Sequence, residues 1–111
     1  MDVKTMLNNL EVSAVASDVE FNIIYANKRG ERAFKKKFPD FAVGMNMAGC
    51  HKPETMEKLK EMYQSFSEKK STVSHYVMDT PGGKLTVVQV PFFDEDKFAG
   101  VLEFLFEGSL T

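Results

Sequence analysis

Three stretches toward the C-terminal end, residues 72–78, 85–92 and 99–106, have strand-forming composition and no polar face. A half-exposed antiparallel sheet alternates apolar and polar residues. Here Val87 and Val88 are adjacent, as are Val101 and Leu102, and Phe104, Leu105 and Phe106 run together. Both faces of such a sheet need cover. Helices between the strands can close one, leaving the other to the N-terminal segment, to a partner, or to both. A sheet cupped by helices, with a second apolar face, suits a ligand-sensing and partner-docking module better than a catalyst.

The 111 residues make one domain with a single core. A composition of 43% hydrophobic and 27% charged residues is that of a globular protein, and a net charge of -2 gives no basic face for nucleic acid. The run Lys35-Lys36-Lys37 reads as a solvated helix face. The lone Cys50 excludes an intramolecular disulfide, and no apolar stretch is long enough to span a membrane. The start of the chain lacks the apolar core of a signal peptide, so the expected location is cytoplasmic.

Val3, Met6, Leu7 and Leu10 form one stripe of a short amphipathic helix over residues 1–10, expected to lie on the outer sheet face. Strands follow over residues 12–17 and 21–26. Asn27 is placed to cap a helix that runs to about Phe38, where Pro39 ends it. Residues 41–52 read as loop, with Met45, Met47 and Cys50 as soft packing residues. Pro53 opens a second helix whose core face is Met56, Leu59, Met62, Tyr63 and Phe66. Pro81-Gly82-Gly83 turns the next hairpin, and residues 94–97 turn the last.

Ile24-Tyr25-Ala26-Asn27 before the first helix, Gly82-Gly83 in the hairpin, Val90-Pro91 followed by Asp94, and Gly100-Val101-Leu102-Glu103 occur in an order that resembles a PAS domain. The resemblance covers nearly the whole chain, with residues 12–107 as its core. It implies an α+β fold: a five-stranded antiparallel sheet, order 2-1-5-4-3, with helices on one face around a pocket. It also implies a sensory or dimerising role. The light-oxygen-voltage type is the nearest chemical comparison, since Gly44, Asn46, Pro53, Glu54 and Thr55 coincide with its flavin segment. Its reactive cysteine falls on Met47, however, and its flavin-holding polar positions fall on Val77, Leu85 and Leu102. FMN photochemistry is therefore not expected.

That resemblance also sets an expected register. His75, Val77, Leu85, Val87, Gln89, Leu102 and Phe104 would face inward and, with Met47, Cys50, His51 and Met56, line a pocket for a small apolar ligand or cofactor. Tyr76, Val88, Val90, Phe92, Val101 and Leu105 would face outward and, with Val3, Met6, Leu7 and Leu10, form an interface for a homodimer or a signalling partner. A filled core in which His75 and Gln89 bond each other or backbone groups is the plainer reading of the same residues. Cys50-His51 at a helix start leaves a haem or metal contact open, through His51, Cys50 or His75, beside a structural role or a redox-sensitive thiol. No nucleophile–base pattern, phosphate loop or acid–base pair points to an enzyme. The functional expectation is a sensory module signalling through its outer sheet face. The alternatives are a ligand-free dimerisation module and a haem sensor.

Overall fold

The computed structural model describes residues 1–108. Three helices, α1 (Val3–Asn8), α2 (Lys28–Lys37) and α3 (Pro53–Ser67), accompany five strands. The strands are β1 (Ser13–Asp18), β2 (Ile23–Ala26), β3 (Ser74–Thr80), β4 (Gly83–Asp94) and β5 (Lys97–Glu107). They form one antiparallel sheet in the order β2-β1-β5-β4-β3, as the resemblance implies. The helices α2 and α3 pack on one face.

Local chemistry fixes the junctions. The Asn27 side chain caps α2 by accepting from the Gly30 N–H at 2.7 Å, and it is fully buried. The same oxygen accepts from the Ala14 N–H at 3.0 Å, and the amide nitrogen donates to the Leu7 and Val12 carbonyls, both at 2.9 Å. Gly30 lets α2 lie this close: a Cβ there would come within 2.7 Å of the Ala14 carbonyl oxygen. Two apolar clusters fill the space between helices and sheet. One gathers Phe34 and Phe38 around Val15, Ile23 and Phe41; the other gathers Leu59, Met62 and Phe98 around Tyr63, Phe66 and Val101. The loop after α2 is tied to β2, with the Ile23 N–H donating to Met45 and the Met47 N–H to Phe21. A single turn of 3-10 helix, Met47–Gly49, then leads into α3.

Two strands face opposite to the sequence expectation. Gln89, Val87 and Leu85 look inward, but across β3 they pair with Ser74, Tyr76 and Met78. Across β5 they pair with Glu103, Leu105 and Glu107, and Val101 shares that face. His75, Val77, Leu102 and Phe104 therefore lie outside with Val88 and Val90. Tyr76, Val101 and Leu105, expected outside, lie inside.

Each reversal has a one-residue cause, because side chains alternate with period two. The β3–β4 turn is two residues long, Pro81-Gly82, so Thr80 pairs with Gly83; a three-residue turn over Pro81-Gly82-Gly83 would have paired Thr80 with Lys84. In the β4–β5 hairpin, Phe93 pairs with Phe98 but Phe92 with Gly100, leaving Ala99 as an extra residue. Counted from the turn without that bulge, Val90 would oppose Val101 instead of Leu102. Gly100 tolerates its place because it has no side chain: a Cβ would lie 2.6 Å from the Phe92 ring and 2.0 Å from the Ser17 carbonyl oxygen.

The helix α1 is also less engaged than expected. It buries no residue; Val3 and Met6 are exposed and Leu7 and Leu10 half-buried. Its described polar ties are to Asn27 and to the Tyr25 hydroxyl, which donates to Asn8. Asn27→Ala should cost about 3 kcal/mol in urea denaturation, combining a lost cap with buried backbone groups left unpaired. Asn27→Asp, which keeps the acceptor and loses both donors, should fall between the two proteins. Both variants melting within about 0.5 kcal/mol of wild type would contradict this account.

Candidate functional site

Between the inner sheet face and the helices lies a cavity of about 80 Å³. The sheet contributes Val15 and Ser17 from β1, Ile23 from β2, Tyr76 from β3, Gln89 from β4, and Val101 and Glu103 from β5. Phe34 of α2 and Thr55, Leu59, Met62 and Tyr63 of α3 close the other side, with Phe41, Met45, Met47, Cys50 and His51 from the intervening loop. The space needed for one water is about 10–15 Å³. There is thus room for a small molecule or several waters, but not for a porphyrin or a flavin.

The polar members are concentrated on the strands and Tyr63. Gln89 is 4% exposed; its amide nitrogen donates to Glu103 Oε1 at 3.1 Å, while its own Oε1 is buried with no hydrogen-bond partner among the described residues. The Glu103 carboxyl is pushed up to about 7 by burial, only partly opposed by the bond from Gln89. The Tyr63 phenol is pushed up to about 12, chiefly by burial, and its hydroxyl shares a short hydrogen bond with Ser17. Burial, then the Glu103 charge, also raises the Tyr76 phenol. Tyr76 is 46% exposed on the edge strand, as a residue at the rim would be.

Of the residues expected to line a pocket, Met47, Cys50, His51 and Gln89 do so. Met56, Val87 and Leu85 share the interior without lining the cavity: Met56 and Val87 are buried, and Leu85 lies toward the end of the sheet. His75, Val77, Leu102 and Phe104 lie on the far side of the sheet, removed by the two register shifts. His75 and Gln89 accordingly do not meet. Glu103, Tyr63, Tyr76 and Ser17 were missed; the polar signal of Glu103 inside the apolar run of β5 was legible, but its face was not.

Cys50 and His51 are neighbours by contact, with Sγ 3.2 Å from Nδ1, and both turn to the Met47 carbonyl oxygen, at 3.5 and 2.9 Å. Burial pushes the Cys50 thiol up. His75 on the opposite face cannot join His51, and among the described residues no three His, Cys, Asp or Glu side chains converge as a metal set.

The raised carboxyl has a consequence for stability. A group whose folded-state pKa exceeds its unfolded value stabilises the fold fully below the unfolded value, about 4.3 for Glu, and loses that contribution as the pH rises through the folded value. Glu103→Gln should therefore gain stability over wild type between about pH 5 and pH 8, by at most about 3 kcal/mol at about 1.4 kcal/mol per pKa unit. Thermal melts of both proteins across that range check it; a difference that does not vary with pH would remove the strained carboxylate from the site.

The family model for the PAS domain matches residues 3–107. By structure, the chain is similar to a C-terminal domain from Streptococcus mutans, with a TM-score of 0.75, 22% identity, and coverage of 94% of this chain and 81% of that one. It is also similar to the PAS domain of a protein from Colwellia psychrerythraea, with a TM-score of 0.65, 18% identity, and coverage of 96% and 94%. A sensory box sensor histidine kinase from Vibrio cholerae gives a TM-score of 0.63 at 14% identity, covering 97% of this chain and 90% of that one. None of the curated proteins matches the sequence. The structural likenesses establish the fold, and the family model spans nearly all of it: the chain belongs to the PAS domain family.

Proposed function

We propose that this PAS domain binds a small molecule in the cavity beneath β4 and β5 and passes its occupancy to a partner through the outer face of the same strands. Sensing and signal transduction are the usual work of the family. The observation that carries the ligand is the Gln89 Oε1: a buried acceptor left unpaired costs about 1–3 kcal/mol, and it borders a cavity where a ligand can supply the donor. The relay is short. On β4, Gln89 looks into the pocket while Val88 and Val90 look out; on β5, Val101 and Glu103 look in while Leu102 and Phe104 look out. An occupant that favours one packing of Met45 and Met47 over the cavity shifts the population of that packing, and the sheet follows. No helix among the described residues is long and apolar enough to cross a membrane; a cytoplasmic location is part of this proposal.

Dimerisation without a ligand is the second reading. It is favoured by the outer face, where Val88, Val90, Leu102, Phe104 and Phe106 are all only half-buried and Val77 is 48% exposed. A contiguous apolar surface of this kind calls for a partner, and a two-fold axis would pair it with itself.

Native mass spectrometry of the protein purified from cells should show a small adduct that Gln89→Leu loses; a wild-type spectrum of bare polypeptide only would overturn the ligand reading. Sedimentation should show self-association that Val90→Asp abolishes. A dimer indifferent to that charge would place the interface elsewhere.

A further inference from the structure

Glu103 lies mid-strand in β5, opposite Val15 of β1 on one side and Gln89 of β4 on the other. Its only polar contact among the described residues is the Gln89 amide nitrogen, and no lysine, arginine or histidine pairs with it. The titratable groups that face it are two phenols, Tyr63 from α3 and Tyr76 from β3; β1 offers the aliphatic Val15. Cys50 and His51 border the same cavity but are turned to the Met47 carbonyl. A carboxylate taken out of water is costly unless a cation and hydrogen-bond donors accompany it. The described residues supply one donor and no cation. Beside it, Gln89 Oε1 also waits for a donor.

Two adjacent acceptors, one of them anionic when ionised, define what completes the site. A hydroxyl brings one donor and no charge; a carboxylate brings no donor and repels Glu103. An ammonium group brings three donors and the missing charge, and the phenol rings at this end of the cavity have faces that attract cations. The remaining wall, apart from Ser17, Thr55, Cys50 and His51, is apolar, with Ile23, Phe41, Met45, Met47 and Leu59, and a cavity of about 80 Å³ keeps that part short.

Building on the pocket reading above, we propose that the occupant is a small primary alkylamine in its protonated form, its head between the Glu103 carboxylate and Gln89 Oε1 and its tail among the aliphatic and thioether side chains. Binding is then linked to protons. The Glu103 carboxyl titrates near about 7, whereas an alkylamine stays charged far above that. Affinity rises as the pH rises and ionises the carboxyl.

The test uses three four-carbon probes, n-butylamine, n-butanol and sodium butyrate, titrated into the whole domain and followed by amide chemical shifts of Gln89, Glu103 and Met47. Butylamine should bind at least about tenfold more tightly than butanol at about pH 8, with butyrate not binding. Its affinity should fall roughly tenfold toward pH 6, where the carboxyl is mostly protonated, and Glu103→Gln should lose that preference. Equal binding of butanol and butylamine, or an amine affinity that ignores pH, overturns the amine while leaving a ligand pocket standing. No response to any of the three overturns the pocket reading itself. Should Glu103→Gln fail to fold, the wild-type pH series decides alone.

Discussion

The carboxamide of Asn27 ties together the backbone of α1, of the turn before β1, of β1 itself and of the first turn of α2. Its backbone N–H adds a further bond to the Ala14 carbonyl, extending the β1–β2 ladder by one residue. All of this happens out of water, where each bond counts for more and each omission is expensive. Through it the angle at which α2 leaves the sheet is set, and with that angle the position of Phe34 over the cavity. Gly30 is the complementary constraint, since only a residue without a side chain allows the helix to rest against Val15.

From that corner the pocket is assembled by ladders rather than by packing alone. The chain between α2 and α3 runs along β2: the Ile23 N–H donates to Met45 and the Ile23 carbonyl accepts from Gly44. Asn46 fastens the same stretch by donating to the Glu20 carbonyl at 2.8 Å and to Asn22 Oδ1 at 2.9 Å. Met45 and Met47 are thus held over the cavity by backbone pairing, while their flexible, polarizable side chains can adapt to what lies beneath. On the far side, Tyr63 reaches from α3 to Ser17 on β1 and stacks against Phe21 at 4.4 Å between ring centroids.

Much of this was legible in the sequence. Strand and helix order, the cap at Asn27 and the Pro53 helix start all follow from residue type and spacing, and the inward Gln89 from the register that the resemblance implies. The faces of β3 and β5 do not, and the reason is in the residues. A strand carrying Val101, Leu102, Phe104, Leu105 and Phe106 is apolar either way up, so periodicity has nothing to choose between. Only the number of residues in each hairpin decides, and a two-residue turn at Pro81-Gly82 and a bulge at Ala99 each moved that count by one. Glu103 was the single residue able to betray the register of β5. Yet a charged side chain in a strand points to solvent by default, and here it points to the cavity. The exception to the general rule marks the candidate site.

The surplus residue at Ala99 makes the lining of this domain a matter of pairing register as much as of composition. Closing that bulge without removing a residue would slide the downstream half of β5 by one position, sending Glu103 to the exterior and bringing Leu102 and Phe104 within. The chamber would lose its acid and gain hydrocarbon beside Gln89, Tyr63 and Ser17, with no side chain replaced along that strand. Removing Ala99 altogether would instead straighten the strand and leave Glu103 opposite Gln89, so in this sequence it is the bulge that puts the acid inside.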